Sequence, residues 1–197
     1  MNATSMTVTG VVLAGGLGRR MSADGNGVDK GLQPLHGRPL VAHAIERLAP
    51  QVDTLLINAN RHLDTYRTFG WPVVSDAIAG YAGPLAGLAS ALRVADTDWV
   101  ITVPCDSPLL PADLLARMAA AARASAARVA VARTIEGEQP VFLLVERSLG
   151  DDLETWLADG GRRIDAWYRR LAPAYADFPD PRAFSNINTP ADLAALR

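Results

Sequence analysis

The chain has 197 residues, 49% hydrophobic and 20% charged, the balance of a globular protein long enough to enclose a full core in one domain, residues 1–197. Its 19 basic and 21 acidic residues leave a formal charge of −2, which argues against broad electrostatic binding to nucleic acid or to an anionic membrane. A single cysteine, Cys105, excludes an internal disulfide and a cysteine-based zinc site, and His36, His43 and His62 do not fall at metal-ligand spacing.

Met1–Thr9 is polar and lacks the charged start and apolar core of a signal peptide; no apolar run approaches the roughly 20 residues of a membrane span. A cytoplasmic location is the expectation. Val8–Ala14 is a β-branched run that reads as a buried strand and breaks into Gly15, Gly16 and Gly18, then Arg19 and Arg20. These glycines complete neither G-x-G-x-x-G, since Met21 stands at the third position, nor the Walker pattern. A strand ending in glycines and basic side chains still offers backbone N–H groups and positive charge to phosphates. Ser22–Val28 reads as a mobile polar loop leading to Asp29 and Lys30.

Leu35–Gly37 suggests a tight turn and Leu40–Leu48 a helix entered through Pro39. Val52–Asn58 is the next apolar run, followed by a helix at Leu63–Phe69 and a strand at Pro72–Ser75 that ends at Asp76. Gly80–Gly87 opens a helix through Arg93 with Pro84 as its first residue, and Asp98–Val103 is a buried strand running into Asp106. Pro111–Ala127 is an alanine-rich helix, Arg128–Ala132 and Pro140–Val145 read as strands, and Ser148–Leu157 and Arg163–Leu171 as amphipathic helices. Ala183–Ile187 is the expected final strand, with Thr189 capping a helix at Pro190–Leu196.

Alternating strands and helices predict a mostly parallel sheet covered on both faces, an α/β class fold. Such sheets bind ligands outside the carboxyl ends of their strands. The glycine turn, Asn58, Asp76 and Asp106 all stand at strand ends, so they are expected to meet in one crevice.

The ordered motifs VLAGGLGRRM, DKGL (Asp29–Leu32), GPLAG (Gly83–Gly87), PCDSP (Pro104–Pro108) and SNINTP (Ser185–Pro190) resemble those of the nucleotidyltransferases, and within them the molybdenum cofactor guanylyltransferases. The resemblance spans almost the whole chain and implies a three-layer α/β/α, Rossmann-like fold. It implies transfer of GMP from GTP to molybdopterin or molybdenum-molybdopterin with Mg²⁺ as cofactor, by a monomer that hands its product to other molybdenum cofactor proteins. One departure stands out: Ser22–Gly27 is several residues longer than the usual glycine turn, and this loop is expected to become ordered with GTP.

Carried over motif by motif, the resemblance places Leu13, Ala14, Gly15 and Gly16 at the nucleotide, Arg19 and Lys30 on the triphosphate, and Asn58 and Asp76 among the GTP contacts. Asp106 is the implied Mg²⁺ ligand, a hard oxygen donor at a strand end, so the catalytic set is Arg19, Lys30 and Asp106. Asn186 and Asn188 are assigned to the acceptor. Asp76 is offered as acceptor for the guanine N1 and N2 hydrogens, which adenine and cytosine do not present. Arg162, Arg163, Arg169 and Arg170 read as a charged helix surface rather than a pterin site. Two other readings stay open: a CTP-dependent or sugar-phosphate relative, and a nucleotide-binding protein without catalysis.

Overall fold

The first apolar run becomes the centre of the sheet. In the computed structural model, which describes residues 6–15, 29–77, 83–189 and 191–192, strand β1 (Val8–Leu13) pairs in parallel with β4 (Thr54–Asn58) on one side and β6 (Trp99–Pro104) on the other. A strand with neighbours on both edges and helices on both faces has little outlet for polar side chains, hence its largely apolar character, and its one polar side chain, Thr9, is paired with the Thr97 hydroxyl at 2.7 Å. Between β1 and β4 lie a two-residue hairpin, β2 (Pro34–Leu35) and β3 (Arg38–Pro39), and helix α1 (Leu40–Leu48). The hairpin turns on His36 and Gly37, both at positive φ, the conformation that matches the twist of two short antiparallel strands.

The chain then adds α2 (Leu63–Arg67), β5 (Val73–Val74), α3 (Pro84–Val94), α4 (Leu114–Ser125), β7 (Val129–Thr134) and β8 (Gly137–Glu146). Helices α5 (Gly150–Ala158) and α6 (Ile164–Arg169) and strand β9 (Ala174–Asp177) follow. The sheet order is β5-β4-β1-β6-β8-β7-β9. Only β8 runs against its neighbours; the remaining pairings are parallel, so the expected mostly parallel sheet is the one found. Strand β8 reverses because two residues, Ile135 and Glu136, join it to β7, with Gly137 at φ +124.

Period-two alternation splits the core into two layers. Val12, Ile57 and Val103 pack against Val41 and Leu48 of α1 and Met118 of α4. Val11, Leu56 and Val100 face the other way, against Leu88 and Leu92 of α3, Leu153 of α5 and Trp167 of α6. This is a three-layer α/β/α arrangement.

The expected strand at Ala183–Ile187 is not one. Pro181–Phe184 is a 3-10 turn opened by the Asp180 side chain, which accepts from the Arg182 N–H at 3.0 Å. Phe184 turns inward, edge-on to Phe142 and Phe178 at 4.8 and 5.0 Å between centroids, so aromatic packing claims the segment before a sheet edge can. The last strand is instead β9, paired in parallel with β7. Of the expected final helix, Pro190 and residues 193–197 lie outside the described residues.

Two glycines predict opposite responses to the same substitution. A Cβ on Gly87, inside α3, would sit 2.3 Å from Asn58 Oδ1 and 2.7 Å from Leu13 Cδ2, and that Asn58 amide is tethered by hydrogen bonds to the Val74 carbonyl and Asp76. On Gly150, at the start of α5, the nearest atom would be Leu92 Cβ at 3.7 Å, an ordinary contact. Gly87→Ala is expected to lose about 1–3 kcal/mol to overpacking despite alanine's better helix propensity, lowering the melting temperature by several degrees. Gly150→Ala should gain about 0.5–1 kcal/mol. Thermal melts of the pair decide it; a Gly87→Ala protein melting above wild type would show that Asn58 yields.

Candidate active site

Three parallel strands end side by side. The Ala14 N–H donates to the Asn58 carbonyl at 2.8 Å, and the Cys105 N–H donates to the Leu13 carbonyl at 3.1 Å. The last turn of β1 is thus stitched to β4 on one side and β6 on the other, and Leu13, Ala14 and the exposed Gly15 form the crest between them. With strands about 4.8 Å apart, the β4 and β6 ends stand about 10 Å from each other. Gly16, Arg19 and the Ser22–Gly27 loop lie outside the described residues.

On the β4 side, Asn58 is 4% exposed and its amide donates to the Val74 carbonyl at 3.1 Å and to Asp76 Oδ1 at 2.9 Å. Asn60 completes the arrangement. Its Nδ2 donates to Asp76 Oδ2 at 2.7 Å, and its Oδ1 accepts from the Asp76 N–H at 2.9 Å. Both oxygens of Asp76 are therefore oriented by asparagine amides, each with a lone pair remaining. Gly15 lies against the same group, since a Cβ there would come within 3.1 Å of Asn60 Nδ2.

On the β6 side, Lys30 meets the end of the strand. Its ammonium donates to Asp106 Oδ2 at 3.1 Å and to Asn188 Oδ1 at 2.5 Å. Among the described residues none donates to Asp106 Oδ1. The segment carrying Asn186 and Asn188 is fastened directly to the end of β6: Ile187 N–H donates to the Asp106 carbonyl at 2.8 Å, and Ser107 Oγ donates to Asn186 Oδ1 at 2.5 Å. Beyond it, Asp192 Oδ2 accepts from the Asn188 and Thr189 N–H groups, both at 2.9 Å, while Thr189 Oγ1 accepts from the Asp192 N–H at 3.1 Å. This is a reciprocal capping box, with Asp192 in place of the more common Glu. Those backbone donors hold the Asp192 carboxyl below the usual carboxylate range.

Lys30 is delivered by a short turn. A 3-10 segment, Lys30–Leu32, follows Asp29, whose Oδ1 accepts from the Tyr66 hydroxyl at 2.5 Å. Gly31 passes so close that a Cβ would lie 2.5 Å from that hydroxyl and 3.3 Å from Cys105 Sγ. Burial, then the neighbouring Asp106, pushes the Cys105 thiol up, so it sits as a packed neutral group beside the site.

The structure brings together Leu13, Ala14, Gly15, Lys30, Asn58, Asp76, Asp106, Asn186 and Asn188 at the carboxyl edge of the sheet. The helix arginines are engaged elsewhere: Arg163 with Asp165, Arg169 with Glu138 and Asp165, Arg170 with Asp152. Arg162 donates to the Leu157 and Gly161 carbonyls. Sequence reasoning passed over the roles of Asp29, Tyr66, Gly87, Ser107 and Asp192. Asp192 carried a signal, since T-x-x-D ahead of an apolar run is a capping pattern. Tyr66 carried none, because its partner is 37 residues away.

Comparison with known proteins identifies the family. The profile of the MobA-like NTP transferase domain matches residues 10–174. A molybdenum cofactor guanylyltransferase of Ralstonia nicotianae is 48% identical over 198 aligned positions, covering 96% of this chain and 95% of that one. One from Shewanella sp. (strain W3-18-1) is 47% identical, covering 98% and 96%. In fold, the molybdopterin-guanine dinucleotide biosynthesis protein A of Archaeoglobus fulgidus superposes with a TM-score of 0.74 at 22% identity, over 95% of this chain and 96% of that one. The chain belongs to the family of MobA-like NTP transferase domains.

Proposed function

We infer that this protein transfers GMP from GTP to molybdopterin, giving molybdopterin guanine dinucleotide and pyrophosphate. The reading is carried by one observation: a lysine and an aspartate converge with two asparagines at the sheet's carboxyl edge, in a chain nearly half identical to molybdenum cofactor guanylyltransferases over almost its full length. In the reaction, a terminal phosphate oxygen of the acceptor forms a bond to the α-phosphorus of GTP. The bond from that phosphorus to the bridging oxygen breaks, and the electron pair leaves with pyrophosphate. No protein nucleophile is needed; the work is alignment of two anions and stabilisation of charge.

The residues fit those tasks. The Leu13–Gly15 crest presents small residues and backbone to the nucleotide. Asp76, with both oxygens aimed by Asn58 and Asn60, has two adjacent acceptor lone pairs for the guanine N1 and N2 hydrogens. Lys30 spends two of its three N–H donors on Asp106 and Asn188 and has one left for a phosphate oxygen. Arg19 is assigned to the same triphosphate from its place in the motif. Asn186 and Asn188, fixed to the end of β6 beside Lys30, are assigned to the acceptor from their place in the motif.

Asp106 also fits a Mg²⁺ ion. Among the described residues no group of three carboxylates, histidines or cysteines could hold a metal alone. Mg²⁺ commonly takes only one or two carboxylates, with substrate phosphates and water completing its shell. Asp106 Oδ1, to which no described residue donates, would supply one such ligand. When bound, the ion would neutralise phosphate charge. Asp106 would also hold Lys30 in reach until the triphosphate competes for it.

Two measurements test this. GTP with Mg²⁺ should raise the melting temperature more than equal concentrations of CTP or ATP, a hundredfold excess of GTP over its Kd adding about 2.7 kcal/mol of stability relative to the ligand-free protein; equal shifts would remove guanine selectivity. Asp106→Asn should melt close to wild type yet lose about a hundredfold or more in transfer of labelled GMP to molybdopterin. Wild-type turnover in that variant would place the metal on another residue.

A further inference from the structure

We propose that Tyr66 and Asp29 are positioning residues for the transfer step: the buried hydroxyl of Tyr66 fixes the Asp29 carboxylate, and with it the turn that carries Lys30 to Asp106. The proposal rests on the reading of Lys30 as a phosphate-binding group.

Tyr66 is fully buried on α2, beside Phe69 at 6.2 Å between ring centroids. Packing alone would be served by phenylalanine, and a buried hydroxyl costs free energy unless it is paired. Its partner is Asp29 Oδ1, at 2.5 Å, a charge-assisted bond. Among the described residues, Tyr66 provides the only side-chain donor to that carboxylate. Burial first, then the neighbouring Cys105 and Asp29, raises the phenol far above its ordinary range, so it remains a donor at any working pH.

The backbone on either side of Asp29 is equally constrained. The Asp29 carbonyl accepts from the Leu32 N–H at 3.3 Å and from Gln33 Nε2 at 3.2 Å, and the Lys30 carbonyl accepts from the Gln33 N–H at 3.1 Å. Gly31 lets this turn lie directly on the hydroxyl and on Cys105, the residue before Asp106. Lys30 therefore leaves a turn whose next residue touches the β6 end and whose preceding residue is pinned to α2. Helix α2 in turn follows Asn58 and Asn60 closely in sequence. The hydroxyl so links α2, which follows the β4 side of the crevice, to the turn that carries Lys30 on the β6 side.

A role through Lys30 differs from a merely structural one in how substitutions combine. Tyr66→Phe, Lys30→Ala and the double variant would be compared in single turnovers with GTP, Mg²⁺ and molybdopterin, enzyme in excess, after melts. Tyr66→Phe is expected to slow transfer about tenfold, the loss typical of a hydrogen bond to a charged group. In the Lys30→Ala background the same change should matter by less than about twofold. Equal losses in both backgrounds, or a Tyr66→Phe protein as fast as wild type, would overturn the proposal. Lys30→Ala at the wild-type rate would instead sink the phosphate-binding reading beneath it. Should Tyr66→Phe fold poorly, Asp29→Ala replaces it under the same criteria.

Discussion

Everything at this site depends on three parallel strands ending at one level. Once β1 is hydrogen bonded on both edges, its last backbone groups must find partners on β4 and β6, and they do through Ala14 N–H to Asn58 and Cys105 N–H to the Leu13 carbonyl. That requirement has nothing to do with ligands; buried peptide groups must be paired. Its consequence is chemical. Residues at the end of each strand are delivered to the same edge, so side chains 48 positions apart in sequence, Asn58 and Asp106, flank a single crest.

The stitched crest leaves two polar groups that would otherwise be independent, Asp76 with its two asparagines and Asp106 with Ser107. Two further segments reach the Asp106 side. The Asp29–Leu32 turn brings Lys30 in from the α1 side, and Asn186–Asn188 comes from the far end of the chain, fixed by Ile187 N–H to the Asp106 carbonyl. Neither segment is strand or α-helix. Each is positioned by bonds to elements that are, which gives loop-borne groups the precision of the sheet.

How far this was legible in the sequence follows the range of the forces involved. Helix α1 matches its expected bounds, Leu40–Leu48, because a helix is announced by local period and an entry proline. The convergence of Asn58, Asp76 and Asp106 was legible because strand direction follows from the alternation of elements. β9 was not: Ala174 and Ala176 bury too little apolar surface to look like a strand, and the segment pairs because β7 offers it an edge. The mistaken strand at Ala183–Ile187 shows the reverse, a locally apolar stretch drawn inward by Phe142 and Phe178. The contacts of Tyr66 with Asp29 and of Gly87 with Asn58 are long-range, and no window of sequence contains both partners. Motif resemblance named Lys30, yet could not say what holds it.

Three aspartates at this edge illustrate why residue type alone does not assign a role. Asp29 accepts from a buried phenol and lies under its own turn, so its charge is committed to the scaffold. Asp76 is gripped at both oxygens by neutral amides, which orient it without cancelling its charge, the condition for an acceptor that must recognise donors. Asp106 faces a lysine, the one partner of the three that carries full opposite charge and sits on a long side chain. A triphosphate competes for an ammonium far more strongly than for a neutral amide or phenol, because it offers the full positive charge more negative charge than one carboxylate does. Of the three, Asp106 is thus the carboxylate whose partner a substrate could take, and the exchange would free it for a cation arriving with that substrate.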